Sequence, residues 1–538
     1  MRKVLTSLLV SAALCAVAIP SSFVNAQNSS RRANSDAVGE AAAQNARPDA
    51  SPDEYFIAFR DGLTSNDIAS VKSTGASVTG RFSEVRALAA RINNARQLDA
   101  LARNPRVEYI EQVPMRYATS LSDTELTPST SNGLYGLLTT KATTVHGRFV
   151  TGAGINVGVA DTSLDYLHSD ISPNYRGGID TVGTGDSDPI NNDGETHGTH
   201  VAGTILGALN GSGVRGVAYS ANLYHARVLG PNGGSTTDIM EGVRHLVEVR
   251  GCKVINLSLG GGLKSRTEEN FYKDMRNKGA LVVAASGNDG ATRVSYPAAY
   301  AVNIAVGAVD KNNVIASFSN KGTALDVVAP GVGVLSSVPR GQGFESSVTS
   351  GATFTSFGLE FAGTTAGTTG TLVNCGQGQT GEFPAGVAGN IALIQRGTIS
   401  FADKVTNAMN AGATAAIIYN NAAGDFTGTL GAAGRWIPAV SVSDTTGATL
   451  VGQAGSTGSS ATVVNKASDW DHYDGTSMAT PHTAGVIALI WSANQALSNT
   501  TIESYLFTTC TDLGAAGYDT TYGRGIINAD AAVAKAGK

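Results

Sequence analysis

Aspartate, histidine and serine stand in three glycine-bearing stretches that are far apart in this chain. Asp161 lies in Gly158-Val159-Ala160-Asp161-Thr162-Ser163, His197 in His197-Gly198-Thr199-His200-Val201-Ala202-Gly203, and Ser477 in Gly475-Thr476-Ser477-Met478-Ala479-Thr480-Pro481-His482. A hydroxyl becomes a nucleophile when a base takes its proton, a third group orients the base, and donors face the oxyanion that forms. Each part has a candidate here. Ser477 runs into the uncharged apolar stretch 483–491, which reads as a helix buried on nearly all sides with the serine at its first turn. Free N–H groups and the positive end of the helix dipole favour a developing negative oxygen there. Pro481 fits such a helix as an early position whose N–H needs no intrahelical acceptor. Asn288, in Ala285-Ser286-Gly287-Asn288-Asp289-Gly290, offers a side-chain amide for the same oxyanion.

Alone, each residue has an ordinary explanation. A serine before an apolar run is commonly an N-cap, an aspartate after a strand caps a helix or turn, a histidine opening a helix faces solvent, and an asparagine among glycines makes a turn. Joint occurrence in the order Asp, His, Ser outweighs these readings. Two enzymatic rivals fail on spacing. His197 and His200 are i, i+3 with no glutamate between them, which is not the zinc-peptidase helix. Gly475-Thr476-Ser477-Met478-Ala479 narrowly misses the G-x-S-x-G elbow of esterases, whose acid and histidine follow the serine rather than precede it. A catalytically inactive peptide-binding protein is the non-enzymatic alternative, and the presence of every reacting group weighs against it.

The elements that must position these residues alternate between about 136 and 331. Short apolar strands (155–161, 221–229, 253–261, 280–288, 301–309) interleave with helices opening at His197 and spanning 238–250 and 267–278. Strands this continuously apolar are buried on both faces, which predicts an α/β fold: a parallel sheet covered by helices on both sides, with sites at the carboxyl ends of the strands. Asp161, Asn256 with Ser258, and Asn288 fall at such ends. Residues 341–468 break the alternation with a Gly/Thr/Ser/Ala-rich stretch carrying its own strands and helix, so they read as an inserted, mainly β domain. Residues 53–118 give two β-α-β halves, a ferredoxin-like α+β module. Residues 27–52 read as a disordered spacer, and residues 1–26, with Arg2, Lys3, an apolar core and Val24-Asn25-Ala26, as a secretory leader that places the protein outside the cell.

At 538 residues, two or three domains are expected. A net charge of −5 with 15% charged residues and no basic run leaves no footprint for nucleic acid, and no stretch after the leader is long and apolar enough to span a membrane. After the leader takes Cys15, Cys252, Cys375 and Cys510 allow one disulfide at most.

The motifs GVADTS around Asp161, HGTHVAGTI from His197, INLSLGG from Ile255, AASGN to Asn288 and GTSMATPH around Ser477 together resemble the subtilase family of serine peptidases, over roughly 134–339 and 471–534. The resemblance implies that Ser477 attacks a scissile carbonyl, His197 carries the proton, Asp161 fixes the imidazole tautomer, and Asn288 with the Ser477 N–H holds the oxyanion. It implies an extended protein or peptide substrate lying along Gly233, Gly234 and Ser235 and along Ser258, Leu259 and Gly260. Ala285, Ser286 and Gly287 would wall the primary pocket, with Ser295 at its base, and no acidic residue there would demand Lys or Arg. Ser163 and Thr196 stand where the family commonly has glycine. No cofactor is implied for the chemistry. Structural calcium is implied through an aspartate such as Asp170, but the loop 208–214 is about a residue short; Asp186, Asp188 and Asp193 supply other oxygen ligands.

By the same resemblance residues 53–118 are an inhibitory propeptide, released by a cut between about Tyr117 and Ser131. The catalytic domain is 132–340 with 469–538, and 341–468 is a protease-associated domain, recognised through GNIALIQRG and the helix and strand that follow. In relatives a second cysteine often follows that Arg-Gly. Thr398 and Ile399 stand there instead, leaving Cys252 with Cys510 as the implied pair. A monomer is expected.

Overall fold

The computed structural model describes residues 50–118, 134–182 and 195–538, apart from 212, 422, 423, 425, 433 and 455–458. The leader, nearly all of the spacer, most of the expected maturation region, and Asp186, Asp188 and Asp193 lie outside the described residues. The chain divides into two units: Met1–Gly39 with Asp53–Gln112, and Glu40–Pro52 with Val113–Lys538.

In the first unit the element order is βαββαβ, with helices Ser65–Ser73 and Ala95–Ala102. The sheet runs in the order Val107–Ala118, Ala50–Phe59, Ala87–Arg91, Ser77–Phe82. Thr64 and Asp67 form a reciprocal capping box that starts the first helix, and Asn94 caps the second. Ile57, Phe59, Val71, Leu88, Leu101 and Val107 fill the core between sheet and helices. The third strand begins only at Ala87, because Ser83–Val85 makes a 3-10 turn closed by Arg86 at φ 57°.

The second unit is built on a seven-stranded sheet in the spatial order Val327–Pro330, Ile304–Val309, Leu281–Ala285, Val254–Leu257, Asn156–Asp161, Asn222–Arg227, Tyr175–Asp180, parallel throughout. Val157, Val159, Val254, Val283, Ile304 and Val306 are all buried, as a sheet sandwiched between helices requires. The helix predicted at 238–250 starts earlier, at Thr236, because Ser235 and Asp238 form a capping box. It stops at Arg244 and passes into a π-helical turn, His245–Val249. Through the middle runs the helix Thr476–Ala493, buried from Thr476 to Trp491.

The chain leaves this sheet after Pro330, and residues after Ser337 form a separate sheet of eight strands, flanked by helices Phe401–Asn410 and Asp444–Ala454. The chain enters it by the strand Gly343–Ser350 and leaves by Ser460–Ser468, which pair with each other. It then returns through Trp470–Tyr473, antiparallel to Val334–Ser337, and reaches Ser477 within a few residues.

Candidate active site

Asp161 ends its strand fully buried, and His197 opens the helix His197–Leu206. His197 Nδ1 lies 2.7 Å from Asp161 Oδ1, which also accepts the Thr162 N–H at 2.7 Å. Because the nearer imidazole nitrogen meets a carboxylate, the ring is held with its proton on Nδ1 and a lone pair on Nε2. Nε2 is buried and has no hydrogen-bond partner. Burial opposes the charged imidazole, but the Asp161 charge and hydrogen bond outweigh it and hold His197 above the ordinary histidine value. Its neighbours behave oppositely: burial pushes His200 down to about 3, and His225 and His482 to about 4.

Two nearby departures from family glycines have partners. Thr196, before the histidine, bonds Tyr473 Oη, and Ser163 Oγ donates to Glu195 O at 3.2 Å. Gly198 could not be replaced easily, since a Cβ there would lie 2.6 Å from Ser163 O and 2.8 Å from Thr162 O.

Ser477 is the second residue of its helix, fully buried. Its hydroxyl donates to Ser258 O at 3.1 Å, and Ser258 Oγ donates back to Ser477 O at 2.8 Å. This reciprocal pair explains Pro481, which lies inside the helix rather than at its edge. A residue at 481 would ordinarily donate its N–H to Ser477 O; proline has none, and the Ser258 hydroxyl takes the vacant acceptor. The serine–histidine hydrogen bond suggested by the sequence is therefore not made in this structure.

Asn288 Oδ1 accepts both the Thr476 N–H and the Thr476 hydroxyl, each at 2.9 Å. An N–H can only donate, so the amide oxygen is fixed at Thr476 and the NH2 group is turned away from it. Thr476 Oγ1 also accepts the Gly287 N–H at 3.2 Å. The asparagine-bearing loop is thus tied to the residue before the serine, a role the sequence reading did not give to Thr476.

Of the residues expected along the cleft, Gly234 and Ser235 pair antiparallel with Arg116 and Met115, and Leu259 and Gly260 with Ala118 and Tyr117. The chain's own segment 115–118 thus runs between the two backbone edges. Gly233 belongs instead to a tight turn, bridged to Gly230 with φ +83°. Ser258 is committed to Ser477. Ala285 and Ser286 are fully buried, and Ser286 Oγ donates to Asn320 O at 3.1 Å. A Cβ on Gly287 would lie 2.2 Å from Asn320 Nδ2 and 2.5 Å from Ser295 Oγ, and φ +106° independently favours glycine there. Asn320, unmarked in the sequence, organises this corner: its Oδ1 accepts the N–H groups of Asp289 and Ala291, and its Nδ2 donates to Ser295 Oγ at 3.3 Å.

Asp170 does not fit calcium. Its fully buried carboxylate accepts from Trp470 Nε1 at 2.7 Å, Val214 N at 2.9 Å, Asn210 Nδ2 at 3.0 Å and Ser337 Oγ at 3.2 Å. Calcium needs six to eight oxygen ligands around it, whereas three of the four groups closing on this carboxylate present N–H donors that a cation would repel. Among the described residues no cluster of His, Cys, Asp and Glu has metal-holding geometry.

The implied Cys252–Cys510 disulfide is also corrected, because all three described cysteines are free. Cys252 is buried beside the sheet, while Cys510 Sγ turns to Leu506 O at 3.3 Å at the end of the helix Asn499–Thr508. Cys375 Sγ is within 3.2 Å of Val373 O. Burial raises all three thiols, Cys375 and Cys510 to about 12.

Fold and site together define a class: an open parallel α/β protein in which a strand-end aspartate holds a helix-opening histidine, with a serine in the first turn of a buried helix. Residues 152–357 match the Subtilase family model, and 368–450 match the PA domain. The chain is 47% identical over 206 residues to Subtilisin Savinase of Lederbergia lenta, covering 38% of this chain and 74% of that protein. It is 44% identical over 243 residues to an alkaline protease of Shouchella clausii, covering 45% of this chain and 60% of that relative's length. The crystal structure of the psychrophilic subtilisin-like protease Apa1 from the Antarctic Pseudoalteromonas sp. AS-11 superposes with TM-score 0.58 at 31% identity, covering 76% of this chain and 98% of that one. This chain belongs to the subtilase family, with a PA domain inserted in it.

Proposed function

We propose that this protein is a secreted serine endopeptidase that hydrolyses peptide bonds in proteins through Asp161, His197 and Ser477. The observation that carries the reading is the 2.7 Å Asp161–His197 bond, which leaves a buried, unpaired basic nitrogen at the opening of one helix while Ser477 sits in the first turn of another packed against it. In the reaction, Ser477 Oγ leaves Ser258 O by rotation about one single bond. It gives its proton to His197 Nε2 as it bonds the scissile carbonyl carbon. The oxyanion takes hydrogen bonds from the Asn288 amide and the Ser477 N–H, and the imidazolium returns the proton to the amine as the C–N bond breaks. Water then releases the acyl group by the same route. No cofactor takes part.

Residues 1–26 would direct export. Residues 53–118 would inhibit the enzyme until cut between about Tyr117 and Ser131, a reading supported by segment 115–118 pairing as a product-like strand with Gly234–Ser235 and Leu259–Gly260. The catalytic domain is 132–340 with 469–538, and the insert is 341–468. Substrates are unfolded or extended protein segments, with a broad preference for apolar residues before the cleaved bond; a digest restricted to Lys and Arg would refute that preference. Among the described residues, no helix is long and apolar enough to cross a membrane.

The test is Ser477→Ala. Turnover falls on the order of a million-fold, the size known for this family's own triad, and residues 53–118 stay attached. The unaltered enzyme is stopped by a serine-directed phosphonate and not by a chelator. Ordinary turnover by the variant would overturn the assignment.

A further inference from the structure

The inserted domain touches the strand that delivers the nucleophile. Thr427, in the insert, donates its hydroxyl to Asp474 Oδ2 at 2.8 Å, and Asp474 is only 4% exposed. The other oxygen, Asp474 Oδ1, accepts the Gly333 N–H, and Gly475 N donates to Gly331 O at 2.8 Å. Asp474 is therefore a buried clamp with three jaws: the insert, the turn after the strand Val327–Pro330, and the start of the serine helix. Two residues earlier in the chain, the His472 ring meets Phe357 of the insert edge-on at 5.1 Å. Between these two contacts, Tyr473 points the other way. Its hydroxyl bonds Thr196, which precedes His197, and its ring stacks on His200 at 4.3 Å and 3°. Alternation along a strand sends successive side chains to opposite faces, so His472 and Asp474 face the insert while Tyr473 faces the histidine helix.

We infer that the insert sets the position of both Ser477 and His197 through Thr427 and the strand Trp470–Tyr473, so that Thr427 is a positioning residue for catalysis. The inference rests on the serine-peptidase reading above. The hydrogen bond is sheltered from water, the setting in which leaving a buried acceptor short of its donor is felt most. Loss of the Thr427 hydroxyl leaves Asp474 short of a donor, and the clamp relaxes toward the insert side. The first turn of the serine helix and the Tyr473–Thr196 contact shift with it. The reacting groups are untouched, so substrate binding along the two backbone edges is preserved, while the chemical step, sensitive to displacements near an ångström, slows.

The experiment compares Thr427→Val and Thr427→Ser in the processed enzyme with its insert intact, with phosphonylation of Ser477 by a serine-directed phosphonate and steady-state cleavage of a peptide amide. Thr427→Val is nearly isosteric. It should lower kcat and the phosphonate rate about tenfold with KM unchanged, and Thr427→Ser should restore both. Melting curves in the Ser477→Ala background separate positioning from unfolding. Wild-type kinetics for Thr427→Val, or a loss of activity matched by a collapsed melting transition and not rescued by serine, overturns the inference. Failure of the unaltered enzyme to react with the phosphonate would instead sink the serine-peptidase reading.

Discussion

Removing the indole N–H of Trp470 tests how the Asp170 loop is stabilised. Asp170 is fully buried, and its carboxylate is satisfied by four donors, of which Trp470 Nε1 at 2.7 Å is the shortest. Trp470→Phe keeps most of the ring, including part of its edge-on contact with His168 at 5.7 Å, and deletes the donor. A hydrogen bond to a charged group is worth about 1.5–3 kcal/mol, and its loss inside a protein sits toward the upper part of that range. At about 2 °C per kcal/mol for a large domain, the melting temperature should fall by roughly 4–6 °C. The contrast is calcium: an ion held at a thousandth of its free concentration would add about 4 kcal/mol, a gain larger than the tryptophan effect. Scanning calorimetry in the Ser477→Ala background, which removes self-digestion, measures both. The expected result is a drop for Trp470→Phe and no calcium-dependent shift that Asp170→Ala abolishes. A calcium stabilisation of several degrees that vanishes in Asp170→Ala would refute the donor-cage argument.

Two further outcomes follow from the site. Asn288→Ala should lower kcat by about 10²–10³ with little change in KM, a magnitude known from a subtilisin itself; a KM effect of equal size would mean the amide binds ground-state substrate instead. His197 must be neutral to accept a proton, and its folded value lies above the ordinary 6.5 because Asp161 favours the imidazolium. Activity should therefore fall as pH drops through a midpoint above 6.5 in a kcat/KM profile, and a midpoint below it would contradict the geometry.

Much of the architecture was legible in the chain. The unbroken apolar runs 156–161, 254–257 and 281–285 could be read as a doubly covered parallel sheet because burial on both faces leaves no alternation to mistake. The helix start at Ser265 follows local capping chemistry, and the strand-end and helix-start places of Asp161, His197 and Ser477 are likewise local patterns, whereas the helix expected from Asp238 starts at Thr236. Pro481 reads in the sequence as an early helical position, whereas what accommodates it is the Ser258 hydroxyl, 219 positions from the Ser477 carbonyl to which it donates.

The choice and order of Asp161, His197 and Ser477 as candidate reacting residues come from the sequence alone, because each stands in a short motif of its own. Tertiary structure alone decided their partners. It turned Ser477 toward Ser258, gave Asn288 its orientation through Thr476, surrounded Asp170 with donors instead of ligands, left three thiols unpaired, and brought Thr427 onto Asp474. Each of these depends on groups from distant segments meeting within about 3 Å, and a hydrogen bond leaves no periodic trace in the residues between its ends.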